Sequence, residues 1–145
     1  MFKTQADVQK LLHKALSSGS IILIGIDGEL GVGKSNFAHQ LGESFKFSVI
    51  SLDEFCSPGT GQYVDGLNLC RLRRAVEKST IPVIIEGVCL LKVLEKLRLN
   101  ADIHFFMFSE PEIKYAAHST VVTEVKEYIS VYQPRNKADW TINMN

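Results

Sequence analysis

A glycine-rich segment near residue 30 restricts the possible folds of this chain more than any other part of its sequence. Residues 28–35 read Gly-Glu-Leu-Gly-Val-Gly-Lys-Ser and fit the pattern G-x-x-x-x-G-K-[ST] at all four fixed positions. An apolar run at residues 21–26 precedes the segment, and a helical pattern begins at Ser35. Glycines allow the backbone to turn tightly between two such elements. The segment therefore predicts a strand, a tight loop and a helix in direct succession.

The same segment has the composition of an anion-binding loop. Backbone N–H groups in glycine-rich turns bind phosphate oxygens, and the positive end of the following helix faces the same anion. In this pattern the lysine, Lys34, reaches the β- and γ-phosphates, and the Ser35 hydroxyl holds Mg²⁺. The loop thus predicts a bound nucleoside triphosphate, with ATP and Mg²⁺ as the expected cofactors. The residues expected to bind the nucleotide are Gly28, Gly31, Val32, Gly33, Lys34, Ser35 and Asn36.

The rest of the chain alternates between helical and strand patterns. Helices are predicted at residues 4–17, 35–45, 67–78, 89–97 and 112–131, strands at residues 21–26, 47–52, 81–85, 103–108 and 140–142, and a loop at residues 53–65. This alternation favours an α/β fold with a parallel sheet between two layers of helices. At 145 residues without a linker, the chain is predicted to be one nucleotide-binding domain, with an N-terminal helix at residues 1–19 and a core at residues 20–145.

Composition argues against several other classes of protein. The chain has 16 basic and 16 acidic residues, so no general binding of nucleic acid or of an anionic membrane is expected. Its clearest apolar run is much shorter than the roughly 20 residues of a membrane span. Cys56, Cys70 and Cys89 are widely spaced and form no CxxC pair. They favour reduced thiols in a cytoplasmic protein over a disulfide framework or a zinc site.

Two carboxylates follow predicted strands at the edge where an open parallel sheet binds its ligand. Asp53 follows the strand at residues 47–52, and Glu86 follows the strand at residues 81–85. Phosphoryl transfer uses a metal to neutralise charge and often a carboxylate to orient or deprotonate the attacking hydroxyl. We expect Asp53 and Glu86 to share these tasks. The alternative for either residue is a loop carboxylate that caps a helix N-terminus.

Residues 24–35, 50–55 and 83–88 form a combination that is more specific than any one of them. In order and spacing, over residues 21–108, they resemble the uridine kinase and phosphoribulokinase group of P-loop kinases. The resemblance implies a three-layer P-loop NTPase fold with a parallel five-stranded sheet of order 2-3-1-4-5. It also implies that Asp53 is the base toward the substrate hydroxyl and that Glu86 assists Mg²⁺.

The resemblance extends to a candidate acceptor-binding segment and to Asp27. Residues 63–66 read Tyr-Val-Asp-Gly and are similar to the segment that helps hold the acceptor in that group. Asp65 is the implied contact, with Tyr63 beside it. Asp27 stands where the group also has an aspartate, and the resemblance implies a place near the phosphates.

The chain departs from that group in two places. Residues 75–80 lead directly into a strand, where uridine kinases have a hairpin over the nucleoside. The stretch expected to form the lid, residues 112–133, contains no arginine, and its basic residues are Lys114, His118 and Lys126. A clamping arginine is worth ~1,000-fold or more in rate. The missing arginine therefore leaves three alternatives. Catalysis is slow, or Lys114 replaces the arginine poorly, or a second chain in a homo-oligomer supplies the cation.

A basic helix follows the candidate acceptor segment. Arg71 and Arg74 lie one turn apart on it and could bind an acceptor that carries a phosphate or a carboxylate. The alternative is a solvated face paired with Glu77.

The sequence favours an ATP-dependent phosphotransferase that moves the γ-phosphate of MgATP to an alcohol group of a small-molecule acceptor. A degenerate, non-catalytic ATP-binding module is an alternative, supported by the absence of lid arginines. A nucleotide hydrolase or GTPase is another, because residues 136–139 spell the guanine-reading motif N-K-x-D. No apolar strand precedes that motif, however, and no D-x-x-G occurs in the chain.

Overall fold

The computed structural model describes residues 5–17, 19–57, 61–111 and 120–144. Within these ranges helices and strands alternate as the sequence predicts, except that two helices follow each other before the last strand. The elements are α1 (Gln5–Leu16), β1 (Leu23–Gly28), α2 (Lys34–Phe45), β2 (Ser48–Ser51), α3 (Leu69–Lys78), β3 (Val83–Glu86), α4 (Leu90–Leu97), β4 (Ile103–Phe108), α5 (Thr120–Tyr132), α6 (Pro134–Lys137) and β5 (Trp140–Asn143). A short 3₁₀ turn, Leu52–Phe55, follows β2.

The five strands form one parallel sheet in the order β2-β3-β1-β4-β5, so the predicted strand order is confirmed. β1 lies between β3 and β4, and its Ile24 is in register with Ile84 on one side and with Ile103 on the other. The direction in which strands are added reverses at β1. Open parallel sheets bind their ligands in the crevice beyond the carboxyl ends of the strands at such a reversal.

Apolar cores cover both faces of this sheet. On one face, Val8 and Leu12 of α1 pack with Leu41 of α2. On the other face, Leu72 of α3 and Leu94 of α4 pack with residues of α5. All six residues of β1 are buried, which is typical of a parallel strand covered on both sides. The three-layer α/β fold predicted from the sequence is therefore confirmed.

Side-chain caps explain two differences between the predicted and observed boundaries. β1 begins at Leu23, two residues later than predicted. The reason is that one Asp102 carboxylate oxygen accepts the N–H groups of Ile22 and Leu23, each at 2.8 Å. Helix α3 begins later than predicted because the Asn68 side chain caps it, accepting a 3.0 Å hydrogen bond from the Arg71 N–H.

The loop predicted at residues 53–65 begins inside the 3₁₀ turn. The long helix predicted at residues 112–131 is observed as α5, and its first part, residues 112–119, lies outside the described residues. Residues 79–82 alone connect α3 to β3. All three cysteines are free thiols, and no helix in the described ranges is long and apolar enough to cross a membrane.

The packing of α1 can be tested by its effect on stability. Leu12 is fully buried against the sheet, so we expect Leu12→Ala to lower the free energy of unfolding by about 2–5 kcal/mol. Urea denaturation measures this loss. Lys10→Ala on the exposed side of the same helix is the control and should change stability by less than about 0.5 kcal/mol. Equal stability of the two variants would mean that α1 does not belong to the core.

Candidate active site

The loop between β1 and α2 has a backbone that requires glycine and leaves its amides free. Gly31 and Gly33 have φ angles of 72° and 91°, in the left-handed region that side chains disfavour. No backbone N–H of residues 31–36 donates a hydrogen bond to another described residue. Because these amides surround the N-terminus of α2, the loop offers several unpaired donors beside the positive end of the helix.

Lys34 is the buried cation of this loop. Its ammonium group donates a 2.5 Å hydrogen bond to the carbonyl oxygen of Glu29. Burial lowers the pKa of Lys34, although the nearby carboxylates of Asp27, Glu86 and Asp53 act to raise it. In this structure the lysine is thus held by the loop itself, in surroundings that do not fully stabilise its charge.

Ser35 and Glu86 are in direct contact across the start of α2. The Ser35 Oγ donates a 2.8 Å hydrogen bond to the Glu86 Oε2. Glu86 is 3% exposed and ends β3, where it pairs in register with Ile26 of β1. A hydroxyl and a carboxylate are oxygen donors of the kind that Mg²⁺ prefers. No group of three or more His, Cys, Asp or Glu side chains in the described ranges could hold a metal ion. An ion at this pair would therefore take its remaining ligands from phosphate or water, as Mg²⁺ usually does.

Asp53 lies in the 3₁₀ turn after β2 and is bound by a tyrosine. The Tyr63 hydroxyl donates a 2.7 Å hydrogen bond to the Asp53 Oδ1. Burial, followed by this hydrogen bond and the Asp53 charge, raises the pKa of Tyr63 far above its usual value. The phenol therefore stays protonated and remains the donor.

Glu124 of α5 holds the backbone of the same segment, and the sequence analysis did not single it out. Its two carboxylate oxygens accept hydrogen bonds from consecutive amides, the Tyr63 N–H at 2.5 Å and the Val64 N–H at 3.0 Å. Glu124 is 8% exposed. The sequence does carry one sign of this role. Glu124 shares an apolar helix face with Val121, Val125 and Tyr128, where a glutamate without hydrogen-bond partners would be unfavourable.

Asp27 is fully buried beneath the loop and is surrounded by groups from four elements, including the Leu90 N–H of α4, which lies 3.4 Å from its Oδ1. Its Oδ1 accepts from the Gly28 N–H at 2.8 Å, and its Oδ2 accepts from the Tyr128 hydroxyl at 2.5 Å. The His104 Nε2 lies 3.7 Å from the same Oδ2 and has no hydrogen-bond partner among the described residues. Burial and the Asp27 charge raise the pKa of Tyr128 well above its usual value. Asp27 therefore supports the loop from inside the core, and its implied place near the phosphates stays a prediction.

Most of the predicted site residues surround one cavity of about 490 Å³ at the carboxyl end of β1. The residues that line it are Leu30, Gly31, Gly33, Lys34, Ser35, Asn36, Asp53, Tyr63, Glu86, Gly87, Val88 and Val121. The structure thus brings the glycine-rich loop, the cation, the hydroxyl–carboxylate pair and Asp53 together. Together these groups could bind a polyphosphate and accept a proton beside it.

Two predicted nucleotide-binding residues, Gly28 and Val32, do not line this cavity. A Cβ on Gly28 would lie 2.3 Å from the Met107 carbonyl oxygen. The close approach of β4 therefore explains this glycine without any ligand. The Val32 side chain is buried in the core, so only its backbone is free to bind an anion.

The two predicted acceptor contacts Asp65 and Arg71 also lie outside the cavity lining. Asp65 is exposed in a turn. The Arg71 guanidinium lies 5.0 Å from the centre of the Phe55 ring, on which it stacks. The predicted role of Arg71 and Arg74 in binding an anionic acceptor stays a prediction.

The N-K-x-D segment lies at the other end of β4 from the loop. One Asp139 carboxylate oxygen accepts from the His104 N–H near the start of β4, whereas the Glu29 N–H of the loop donates to Met107 near its end. The Asn136 amide donates to the Gln133 side chain. This placement gives no support to a guanine-reading role for the segment.

The network around Asp27 predicts a specific loss of stability. Tyr128→Phe removes the hydroxyl that bonds the buried Asp27 Oδ2, so we expect the free energy of unfolding to fall by about 1–3 kcal/mol. Urea denaturation measures the change. The control is Tyr132→Phe, which removes an exposed hydroxyl bonded to Glu95 and should cost less than about 0.5 kcal/mol. If the two variants were equally stable, Asp27 would not depend on Tyr128.

Comparison with known proteins gives structural matches only. No protein-family model and no curated protein sequence matches the chain. A structure described as a possible uridine kinase from Bacillus stearothermophilus matches with a TM-score of 0.59 at 14% identity, over 92% of this chain and 96% of that one. Shikimate kinase from Acinetobacter baumannii, in complex with shikimate, matches with a TM-score of 0.56 at 12% identity, over 91% and 87%. Shikimate kinase from Bacteroides thetaiotaomicron matches with a TM-score of 0.52 at 13% identity, over 86% and 87%. These likenesses show that the chain has the fold of the P-loop kinases.

Proposed function

We propose that this protein is an ATP-dependent kinase, similar to uridine kinases, that transfers the γ-phosphate of MgATP to an alcohol group of a small molecule. The observation that carries this proposal is the convergence of Lys34, the Ser35–Glu86 pair and Asp53 on one cavity of about 490 Å³. A hydrolase has the same phosphate loop but passes the phosphate to water, so the acceptor assays below separate the two functions. The fold shared with uridine kinase and shikimate kinase structures supports the same choice.

The loop and Lys34 bind the triphosphate in this proposal. The unpaired amides of residues 31–36 donate to phosphate oxygens. Lys34 exchanges the Glu29 carbonyl for the β- and γ-phosphates. Because burial lowers the pKa of Lys34, an anion at this position stabilises the charged lysine that the free protein stabilises poorly.

Ser35 and Glu86 are the residues that would hold Mg²⁺. When bound there, the ion neutralises part of the charge on the transferring phosphate. Glu86 fits this role because β3 brings it to the phosphate loop, and Ser35 fits because it begins the helix that the phosphates face.

Asp53 accepts the proton of the acceptor hydroxyl. The acceptor oxygen forms a bond to the γ-phosphorus, the bond to the bridging oxygen breaks, and ADP leaves. The proton passes to the Asp53 Oδ2, because Tyr63 occupies the Oδ1 and no described residue bonds the Oδ2. A positioned base of this kind contributes about 10²–10⁴-fold to the rate.

A degenerate ATP-binding module is the second candidate function. The observation that favours it is the absence of arginine from residues 112–133. Such a module would bind MgATP on the same loop but would transfer no phosphate, so binding and turnover must be measured separately.

Nucleotide binding is tested first. Lys34→Ala should weaken ATP binding by about 10–100-fold, because a charge-assisted hydrogen bond to the phosphates is lost. Isothermal titration with ATP and with GTP, each with and without Mg²⁺, measures the change. Lys10→Ala, which alters an exposed lysine on α1, is the control. Unchanged ATP affinity in Lys34→Ala would refute the phosphate-loop assignment.

Transfer is tested next with the candidate base. We expect Asp53→Asn to bind MgATP normally and to lose about 10²–10⁴-fold in ADP formation with an acceptor. The assay is a coupled measurement of ADP over a panel of nucleosides, pantothenate-like acids and sugar phosphates. Glu54→Gln changes the neighbouring exposed carboxylate and should keep full activity. Undiminished phosphorylation of a verified acceptor by Asp53→Asn would show that Asp53 is not the base.

A further inference from the structure

A buried carboxylate joins α5 to the candidate acceptor segment. Glu124 is 8% exposed, and neither of the salt bridges between described residues includes it. A buried carboxylate is costly unless hydrogen bonds satisfy it. The amides of Tyr63 and Val64 do so, one on each oxygen, at 2.5 and 3.0 Å. Glu124 thus fixes the position of this backbone relative to α5.

Tyr63 is consequently held at both ends. Glu124 fixes its backbone, and its hydroxyl donates to the Asp53 Oδ1 at 2.7 Å. With the Oδ1 occupied, the carboxylate cannot rotate freely, and the Oδ2 has no partner among the described residues. These contacts link α5, in one helix layer, to the end of β2. Glu124 and Tyr63 are 61 residues apart in the sequence.

We propose that Glu124 is a positioning residue for phosphoryl transfer, acting through Tyr63 to orient the Asp53 carboxylate. The inference rests on the proposed kinase function and adds a residue to it. Val121, one turn earlier on α5, lines the cavity beside Tyr63 and Asp53, so the same helix bounds the space in which the acceptor hydroxyl would lie. Because the Asp53 carboxylate is held in one orientation before the reaction, its Oδ2 is presented to that hydroxyl at no further entropic cost.

The test is a double-mutant cycle on the rate of ADP formation. Glu124→Gln leaves one amide without an acceptor, and Tyr63→Phe keeps the ring but removes the bond to Asp53. We expect each change to lower kcat by about tenfold or more while the Kd for MgATP stays within twofold. The double variant should be no slower than the slower single variant, because both changes break one chain of contacts. The probes are MgATP with water alone and MgATP with a mixture of nucleosides, hydroxy acids and sugar phosphates.

Matched controls separate this role from general destabilisation. Glu127→Gln makes the same chemical change on an exposed position of α5, and Tyr132→Phe removes a hydroxyl bonded to a carboxylate remote from the cavity. Both should keep the wild-type rate. If Glu124→Gln fails to fold, Tyr63→Phe and amide hydrogen exchange at Tyr63 and Val64 in the wild-type protein carry the test. Rapid exchange at both amides would then overturn the inference.

The outcomes distinguish the two proposals. A wild-type protein that binds MgATP but forms no ADP with either probe overturns the kinase function, and this inference with it. An active wild type with a fully active Glu124→Gln variant overturns the inference alone. Losses that multiply in the double variant would also overturn it, because Glu124 and Tyr63 would then act independently.

Discussion

The candidate site depends on the parallel pairing of β1 with β3 and β4. Parallel strands present their carboxyl ends at one edge of the sheet, and the strand order reverses at β1. This pairing places Glu86, at the end of β3, against Ser35, the second residue of α2. It also brings the backbone of Met107 so close to Gly28 that no larger residue fits there. In another register, Glu86 would not lie beside the loop, and the Met107 backbone would not lie against Gly28.

The charges of the site are arranged around a central cation. Lys34 is buried among Asp27, Asp53 and Glu86, yet burial outweighs their attraction and lowers its pKa. Asp27 is compensated separately, by the Gly28 N–H and the Tyr128 hydroxyl. The loop thus combines a poorly stabilised cation with unpaired amides. A bound anion would stabilise the charge of Lys34 and accept hydrogen bonds from the amides. Such pre-organised donors, desolvated before the ligand arrives, are how binding sites for polyphosphates obtain strong electrostatic interactions.

The sequence predicted those parts of the fold and site that are encoded locally. The loop motif and the carboxylates Asp53 and Glu86 at strand ends are read from short segments. The strand order is not local, and it came only from the resemblance to a known family. The contact from Tyr128 to Asp27 joins residues 101 positions apart, and the contact from Tyr63 to Glu124 joins residues 61 positions apart. No spacing rule reports such pairs, because they arise only when α5 packs on the sheet. The role of Asp65 stays a prediction, since a turn sequence does not show which of its side chains faces the cavity.

The division between local and long-range contacts has a chemical consequence. In the proposed kinase, the phosphate-binding half of the site comes from the loop after β1, from α2 and from β3, and most of their motif residues line the cavity. The half that would hold the acceptor is assembled from the segment around Tyr63 and from α5, through the buried Glu124 carboxylate, which accepts two backbone amides. In that proposal, a change at Glu124 acts on the acceptor side alone, because, among the described residues, Glu124 bonds only the segment around Tyr63. Helix α5 also reaches the other half, because Tyr128, one turn after Glu124, supports the loop through Asp27. The two halves therefore depend on different side chains of one helix.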